Sequence, residues 1–316
     1  MKIIYAGSPQ FSIAPLEKLI AENFEIIAVL TQPDRPFGRK GILTPTPVNS
    51  FAKANNIPVF TFEKIGKSVQ ELQALQADCL ITCAYGQILT QEVLNLFAMG
   101  VYNIHASILP RWRGASPIQH ALLHGDKQTG ISIIKTDIGL DTGDIVSTKT
   151  LDITREDNAS SLFDKLSSLG AESIVEAMQL LKNGQINLKK QSENGVTLCK
   201  KIVKKDCQID FNQSAIEIVQ LVKAMESGPV AFSYMQGQLV NFYDCIVASN
   251  AQIEEEGIGK QNGEILAVQK NGIYIKAGDG IVQATVLQFA GSKKITCQDI
   301  YNSKKLEANQ IFRKEE

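Results

Sequence analysis

The sequence predicts an α/β protein with a doubly wound, mostly parallel sheet, followed by a smaller β-barrel. In the first half of the chain, short apolar runs typical of buried strands alternate with helical patterns. Polar or glycine-containing turns follow these runs. From Cys207 onward the pattern changes to one helix and several short β-type runs at near-regular spacing, which indicates a small barrel.

Composition places the chain among ordinary globular enzymes. It has 316 residues, 44% of them hydrophobic and 21% charged, which is enough for two domains. The opening MKIIYAG becomes polar too early for a secretory signal, and no apolar run approaches the length of a membrane span. We therefore expect a cytoplasmic protein without membrane contact. The net charge of −1 argues against a general nucleic-acid binder.

The first strand and its turn carry no nucleotide-binding signature. Lys2 to Ala6 predicts a buried strand, and Gly7-Ser8-Pro9 predicts the turn into a helix that ends near Ala21. This turn lacks both the Gly-x-Gly-x-x-Gly pattern and a phosphate-loop lysine. Binding of NAD or ATP is therefore disfavoured.

A long polar stretch follows the second predicted strand, Glu25 to Leu30. The stretch from Thr31 to Pro47 holds four prolines, two glycines and the basic residues Arg35, Arg39 and Lys40. One interpretation is a solvated connector. Its length favours a function instead, because long insertions without regular structure are uncommon in compact domains.

The next elements continue the alternating pattern. Helices are predicted at Asn49 to Asn55 and Val69 to Gln76, with a short strand at Pro58 to Phe60 between them. Asp78 to Cys83 predicts a fourth apolar strand, and Ala84 to Leu89 forms the turn at its carboxyl end. From the residues alone, this turn is either a plain β-to-α connection or a ligand contact.

The polar ends of the central strand are the strongest candidates for chemistry. Val101 to Ile104 predicts a strand on which Asn103 and His105 face the same side, because side chains alternate along an extended backbone. Pro110 and Gly114 force a loop before a helix that begins near Pro117. Ligands of open α/β sheets bind at the carboxyl ends of such strands.

A second loop, Thr136 to Asp144, adds carboxylates to this site. It lies between predicted strands at Gly130 to Lys135 and Asp144 to Leu151, and its glycines allow backbone to approach a ligand closely. An amide, an imidazole and a carboxylate without a nucleophile motif suit direct transfer of a group between two bound substrates. We interpret Asp137 and Asp144 as structural.

Metal and redox sites are not indicated. His120 and His124 are spaced i, i+4 on the predicted helix, but the stretch between them lacks the glutamate of the zinc-protease motif, so packing or surface roles are favoured. The six cysteines form no Cys-x-x-Cys pair and are interpreted as buried free thiols.

The chain is predicted to divide after a long amphipathic helix. Asn158 or Asp157 caps this helix, and Asn183-Gly184 ends it. We predict a catalytic domain at 1–184, a lysine-rich linker at 185–206 and a C-terminal domain at 207–316. The last range holds a helix and β-type runs, at Ser214 to Met225, Ala231 to Tyr234, Leu239 to Val247, Gly263 to Val268, Ile273 to Ala277 and Gln283 to Phe289.

Longer motifs carry a family resemblance. NIHASILPRWRGASPI, starting at Asn103, followed by LDTGD, ending at Asp144, resembles the formyltransferases that use 10-formyltetrahydrofolate. The segments IIYAGSPQFS, TQPDRPFGRKG and AYGQIL are similar to methionyl-tRNA formyltransferases in particular. The resemblance covers essentially the whole chain and is strongest up to Leu181. It implies a Rossmann-like formyltransferase domain and an OB-like C-terminal domain that holds tRNA.

The resemblance also implies roles for individual residues. The catalytic positions are Asn103, His105 and Asp141, with Asn103 and protonated His105 stabilising an oxyanion while Asp141 passes protons. The acceptor implied is the α-amine of methionyl initiator tRNA, and the expected protein is a monomer without a metal. The remaining implied contacts are Tyr85, Gly86, Gln87, Ile88, Ser107, Leu109, Pro110 and Asp141 for the folate co-substrate, and Arg35, Arg39 and Lys40 for tRNA. The local lysine cluster adds Lys204 and Lys205 as candidate tRNA contacts.

One departure and three alternatives accompany this interpretation. Where relatives carry Asn-Pro-Trp-Pro, this chain has Glu226-Ser227-Gly228-Pro229. The same chemistry could act on another amine, such as a sugar nucleotide or glycinamide ribotide. An NAD-dependent oxidoreductase lacks its glycine fingerprint here, and a non-catalytic RNA-binding module has only the lysine cluster at 200–205 in its favour.

Overall fold

The computed structural model describes residues 1–37, 41–249 and 251–314. These residues divide into two compact units. The first comprises Met1–Pro117, Gln128–Asp152 and Phe163–Cys199, and the second comprises Ile118–Lys127, Ile153–Leu162 and the described chain from Lys200 onward. The domain ranges 1–184, 185–206 and 207–316 stay a prediction.

Strands and helices alternate along the chain up to Cys199. The strands are β1 (Lys2–Gly7), β2 (Glu25–Thr31), β3 (Arg35–Phe37), β4 (Ile42–Thr44), β5 (Val59–Thr61), β6 (Cys79–Cys83), β7 (Val101–His105), β8 (Arg113–Gly114), β9 (Gln128–Lys135), β10 (Asp144–Asp152) and β11 (Leu198–Cys199). The helices are α1 (Ile13–Ala21), α2 (Pro47–Ala54), α3 (Val69–Ala74), α4 (Gln91–Leu94), α5 (Pro117–Leu123) and α6 (Ala159–Lys182).

Caps explain where several helices begin. Thr46 accepts a hydrogen bond from the Asn49 backbone at 3.1 Å, and Pro47 takes the first helical position of α2, where its missing N–H costs nothing. Asn158 caps α6 as predicted, since its Oδ1 accepts a bond from the Ser161 backbone N–H at 2.9 Å.

Among the described residues, seven strands form the main sheet of the first unit, in the order β10-β9-β7-β6-β1-β2-β5. The pairs β5 to β2, β2 to β1, β1 to β6 and β6 to β7 are parallel, whereas β9 runs antiparallel to both β7 and β10. The predicted fold class is confirmed. The strand order changes direction between β1 and β6, so ligand-binding loops are expected at the carboxyl ends of these two strands.

The stretch from Thr31 to Pro47 is not wholly irregular, which corrects its description as a loop. Within its described part, β3 and β4 pair antiparallel, with Arg35 opposite Thr44. These three-residue strands were not predicted because prolines interrupt the short runs of this stretch. Arg39 and Lys40 lie outside the described residues.

The second unit is rich in antiparallel strands. Its elements after Cys199 are α7 (Ala215–Met225), β12 (Ala231–Met235), β13 (Gln238–Val247), α8 (Ala251–Glu256), β14 (Ile265–Gln269), β15 (Gly272–Lys276), β16 (Ile281–Phe289), β17 (Ile295–Thr296), α9 (Cys297–Ser303) and β18 (Phe312–Arg313). The described strands pair in the order β14-β15-β16-β13-β12-β18, with β17 beside β16. The sequence predicted α7 and five of these strands but not α8 or α9.

The core of the first unit forms where β1, β2 and β6 meet the helices. Ile4, Leu30 and Leu80 are fully buried there. All six cysteines lie in the described ranges and are buried free thiols, as predicted. No helix in the described residues is long and apolar enough to cross a membrane.

Candidate active site

Strand β7 brings two polar side chains to one side of the sheet, as its alternation predicted. Asn103 and His105 both reach the carboxylate of Asp141. Asn103 Nδ2 donates to Asp141 Oδ1 at 3.2 Å, and His105 Nδ1 lies 3.6 Å from Asp141 Oδ2. The three predicted catalytic residues, far apart in the chain, therefore converge on one point.

The carboxylate of Asp141 is held from a third direction as well. The backbone N–H of Gly114 donates to Asp141 Oδ2 at 2.9 Å. The side chain of Asp141 is 15% exposed and that of His105 is 5% exposed. The pair thus lies in a largely desolvated site, where electrostatic interactions are stronger than at the surface.

A buried threonine fixes the orientation of the Asn103 amide. Thr82 Oγ1, on the neighbouring strand β6, donates to Asn103 Oδ1 at 2.9 Å. Because the amide oxygen accepts from Thr82 and the nitrogen donates to Asp141, the amide cannot be flipped without losing both bonds. One N–H of Asn103 Nδ2 remains for a ligand.

The tautomer of His105 follows from its other contact. His105 Nε2 lies 2.8 Å from the carbonyl oxygen of Trp112, which can only accept. Nε2 therefore carries a proton, and Nδ1 is the nitrogen that faces Asp141. The gap of 3.6 Å from Nδ1 to the carboxylate exceeds a good hydrogen bond, so Nδ1 is the nitrogen left for a reacting group.

The loop that carries the Trp112 carbonyl is pinned to β11. Gly114 has φ +123°, and a Cβ at this position would lie 2.2 Å from the carbonyl oxygen of Cys199. The Cys199 thiol donates to the Trp112 carbonyl at 3.2 Å. Burial raises the pKa of Cys199 to about 11, so this thiol is a hydrogen-bond donor rather than a nucleophile at neutral pH.

The predicted folate-contacting turn after β6 is divided between buried and exposed side chains. Gly86 has φ +82°, which a side chain would oppose, and Ile88 is 85% exposed. Gln87 is tied to the scaffold, since its side chain accepts from the Ile65 N–H and donates to the Phe62 carbonyl.

Tyr85 is buried, and burial raises the pKa of its phenol to about 12. Its hydroxyl has no hydrogen-bond partner among the described residues. An unsatisfied buried hydroxyl is costly, and this one belongs to an apolar core cluster with Leu89, Val93 and Phe97.

The predicted contacts Ser107, Leu109 and Pro110 shape the loop after β7. Ser107 Oγ donates to the Arg111 carbonyl at 2.6 Å. The Leu109 N–H donates to Ser132 Oγ at 3.2 Å, and Pro110 accepts from the Thr197 backbone at 3.3 Å. The side chain of Ser107 and the backbone of the other two thus have internal partners.

The sequence analysis did not predict most of the residues that line a cavity next to the Asp141 loop. Its volume is about 580 Å³, and Thr136 Oγ1, a buried atom without a described hydrogen-bond partner, belongs to its wall. The lining combines apolar side chains of α4 and β7 with the start of the Asp141 loop: Gln91, Leu94, Asn95, Phe97, Ala98, Gly100, Val101, Lys135, Thr136, Asp137 and Ile138. A sequence feature that could have indicated this cavity is Ile138, an apolar residue in a Gly-rich loop that is exposed in the structure.

The candidate tRNA contacts are less organised. Arg35 is exposed on β3. Lys204 and Lys205 are exposed in the second unit, and Lys204 Nζ lies 5.6 Å from the Phe232 ring centroid. None of these side chains belongs to the cluster around Asp141.

The unusual Glu226 has a structural explanation. Its carboxylate accepts from Ser160 Oγ at 2.5 Å, and its other oxygen lies 3.9 Å from Lys294 Nζ. The same ammonium lies 3.6 Å from the centroid of the Tyr243 ring. The Glu226 carboxylate therefore binds a serine hydroxyl and lies near a lysine whose ammonium contacts an aromatic ring.

The histidine pair on α5 carries no metal-site geometry. His124 Nδ1 lies 2.9 Å from the His120 carbonyl oxygen, an intrahelical contact. Across the described residues, no group of three His, Cys, Asp or Glu side chains is arranged to hold a metal ion.

Comparison with known proteins identifies the family. The profile of the formyl transferase family matches residues 1–178, and that of the formyl transferase C-terminal domain matches residues 201–305. A methionyl-tRNA formyltransferase of Coxiella burnetii is 40% identical over 305 residues, which cover 96% of this chain and 95% of that protein. The chain belongs to the methionyl-tRNA formyltransferase family. It is an enzyme that transfers one-carbon formyl groups.

A second relative agrees with this family, and two solved structures share the fold. The methionyl-tRNA formyltransferase of Chromobacterium violaceum is 40% identical over 311 residues, or 98% of each chain. An N-formyltransferase from Helicobacter canadensis, solved with folinic acid and dTDP-3-aminofucose, has a TM-score of 0.69 at 18% identity and covers 93% of this chain and 100% of its own. HypX from Aquifex aeolicus, solved with tetrahydrofolic acid, has a TM-score of 0.63 at 17% identity, covering 100% of this chain and 51% of its own.

Proposed function

We propose that this enzyme transfers the formyl group of 10-formyltetrahydrofolate to the α-amine of methionyl initiator tRNA, giving N-formylmethionyl-tRNA for translation initiation. The convergence of Asn103, His105 and Asp141 at a desolvated sheet end carries the chemistry of this proposal. Similarity to methionyl-tRNA formyltransferases over 96% of the chain supports the acceptor.

The acceptor is chosen by sequence rather than by fold. The solved N-formyltransferase with a bound sugar nucleotide shares the fold at only 18% identity, whereas the relatives named for methionyl-tRNA reach 40%. A sugar nucleotide or glycinamide ribotide is therefore the second candidate acceptor.

The cavity beside α4 is the proposed place for the folate ring system. Its apolar wall at Leu94, Phe97 and Val101 suits a flat heterocycle, while Thr136 offers a buried hydroxyl without a described partner. We assign the formyl donor as 10-formyltetrahydrofolate because a formyl group on N10 is an activated amide that an amine can attack.

The reaction needs one carbon–nitrogen bond to form and one to break. The uncharged methionine amine attacks the formyl carbon, and its electron pair displaces the carbonyl π electrons onto oxygen. The remaining N–H of Asn103 and the Nδ1–H of His105 in its doubly protonated, imidazolium form stabilise that oxyanion. The oxyanion lone pair then re-forms the C=O bond while the carbon–N10 bond breaks and its electron pair stays on N10. N10 takes up the proton lost by the attacking amine through Asp141.

Basic residues of both units are the proposed tRNA contacts. Arg35, with Arg39 and Lys40 of the same stretch, and Lys204 and Lys205 carry charges that suit phosphate groups. The enzyme is proposed to act as a monomer and without a metal. A cytoplasmic location follows from the substrate, because charged tRNA is made and used there.

An acceptor panel tests the proposal. Purified enzyme is incubated with 10-formyltetrahydrofolate and, separately, methionyl initiator tRNA, methionyl elongator tRNA, an amino sugar nucleotide and glycinamide ribotide. Mass analysis then measures the gain of one formyl group. We expect formylation of the initiator tRNA at a rate well above all other acceptors. Faster formylation of the sugar or the ribotide would contradict the acceptor assignment, and no formylation of any acceptor would contradict the reaction.

A further inference from the structure

Gln191 joins the two loops that form the catalytic site. Its Nε2 donates to the backbone carbonyls of Asp141 and Gly143, both at 2.8 Å. Its Oε1 accepts from Arg113 Nε at 3.0 Å. One partly buried side chain therefore binds the Asp141 loop on one side and the loop after β7 on the other.

The chemistry of these three bonds permits only one orientation of the amide. Two carbonyl oxygens require donors, and the Arg113 N–H requires an acceptor, so all three would be lost if the amide were flipped. Both hydrogens of Nε2 are used. Gln191 therefore holds the loops in a defined relation rather than filling space.

The Asp141 backbone needs such support. Asp141 has φ +52°, in the left-handed region, where the backbone of a non-glycine residue is strained. This conformation turns its carboxylate toward Asn103 and His105. The bonds from Gln191 to the carbonyls of residues 141 and 143 fix two peptide groups that follow the Asp141 Cα, those joining 141 to 142 and 143 to 144.

The stretch carrying Gln191 is itself fastened to the first unit. Lys189 forms a two-bond antiparallel bridge with Ile145. Thr197 Oγ1 accepts from the Trp112 N–H at 2.8 Å, and β11 pairs with β8. Gln191 thus lies between two anchored points, which gives its amide a rigid base.

We infer that Gln191 is a positioning residue for formyl transfer, acting by holding the Asp141 carboxylate in reach of His105. This inference rests on the proposed function. Misplacement of a catalytic group by about 1 Å can lower the rate about 100-fold, so loss of the Gln191 bonds should act on kcat.

The test compares Gln191→Leu with Gln185→Leu in formyl transfer to methionyl initiator tRNA. Gln185 is an exposed glutamine six positions earlier, which makes it a matched control. For Gln191→Leu we expect kcat to fall about 30- to 100-fold while KM for both substrates stays within about threefold, and for Gln185→Leu we expect wild-type values. Gln191→Glu keeps the acceptor for Arg113 but loses both donors. It should show the same loss of kcat, and it serves if the leucine variant fails to fold.

A double-mutant cycle separates positioning from a merely structural role. If Gln191 acts through Asp141, adding Gln191→Leu to Asp141→Asn should lower kcat by less than about threefold more, because the carboxylate it positions is already gone. A fully multiplicative loss, or wild-type kcat in both Gln191 variants, would overturn the inference. If wild-type enzyme formylates no acceptor, the proposed function itself fails, which is a distinct outcome.

Discussion

Replacement of Asn103 by aspartate tests how the Asn103 amide is oriented and whether it has the proposed catalytic role. In the structure the Asn103 nitrogen, 3.2 Å from Asp141 Oδ1, is a donor, while its oxygen accepts from Thr82. Asn103→Asp keeps the Thr82 bond and the size of the side chain but puts an acceptor against the carboxylate of Asp141. It also removes the N–H that remains for the oxyanion.

The magnitude follows from that distance. Two unit charges 3.2 Å apart repel by about 5 kcal/mol at an effective dielectric constant of about 20. The two carboxylates relieve this repulsion by sharing one proton, so Asp141 no longer pairs with His105 as a full negative charge. Loss of one oxyanion donor alone costs about 100- to 1,000-fold in kcat. We therefore expect kcat of Asn103→Asp to fall at least about 1,000-fold.

The assay is single-turnover formyl transfer to methionyl initiator tRNA, with thermal unfolding measured in parallel. Asn103→Ala separates the two effects, since it removes the donor without adding charge and should lose about 100- to 1,000-fold. Asn187→Asp, at an exposed position of the same unit, is the charge-matched control and should keep wild-type activity. The reasoning would be refuted by an Asn103→Ala enzyme within about threefold of the wild-type rate.

Three further predictions concern neighbouring features. Gly114→Ala should lower the free energy of unfolding by about 3 kcal/mol or more and reduce kcat at least about tenfold, because the added Cβ would lie 2.2 Å from the Cys199 carbonyl oxygen. Thermal unfolding at the wild-type temperature would contradict this prediction. Cys199, with a thiol pKa raised by burial to about 11, should resist alkylation by iodoacetamide at pH 8 in the folded enzyme and react after unfolding in urea; rapid labelling of the native protein would exclude the buried thiol. The backbone N–H of Asn212 and the ammonium of Lys314 hold the pKa of Asp210 below its usual value, so this carboxylate stabilises the fold above about pH 4 and loses that contribution as the pH falls further. Asp210→Asn should therefore flatten the acid side of a plot of unfolding free energy against pH. An unchanged plot would argue against this role of Asp210.

Local patterns predicted part of the candidate site, whereas the choice of Asp141 among the carboxylates of its loop came from the family resemblance. Strand alternation places Asn103 and His105 on one face because the side-chain period of a strand is two, and this holds whatever the neighbours are. The glycine-rich composition of the Asp141 loop predicted a close approach of backbone to other groups, and its carboxylate does reach β7.

Contacts between distant parts of the chain could not be predicted in the same way. Gln191, read from the sequence as part of a polar linker, bonds to Arg113 and Asp141. A lone glutamine in a lysine-rich stretch gives no periodic signal, and its partners depend on how β8 and β11 pair. The short strands β3 and β4 were missed because three-residue runs interrupted by proline are typical of loops.

Local sequence patterns also could not predict the cavity beside α4. Its wall combines the start of β7 with residues after β9, which become neighbours only because β9 runs antiparallel to β7. Alternating strands and helices predict parallel neighbours, so the antiparallel pairing of β9 with β7 did not follow from the sequence pattern.

The most direct test of the catalytic assignment is single-turnover transfer by His105→Ala, measured together with folate binding by titration. We expect the variant to bind 10-formyltetrahydrofolate within about threefold of wild type, while formyl transfer to methionyl initiator tRNA falls about 1,000-fold or more, since an oxyanion donor and the partner of Asp141 are both removed. Transfer at close to the wild-type rate would contradict the assignment of His105 and of the cluster built around it.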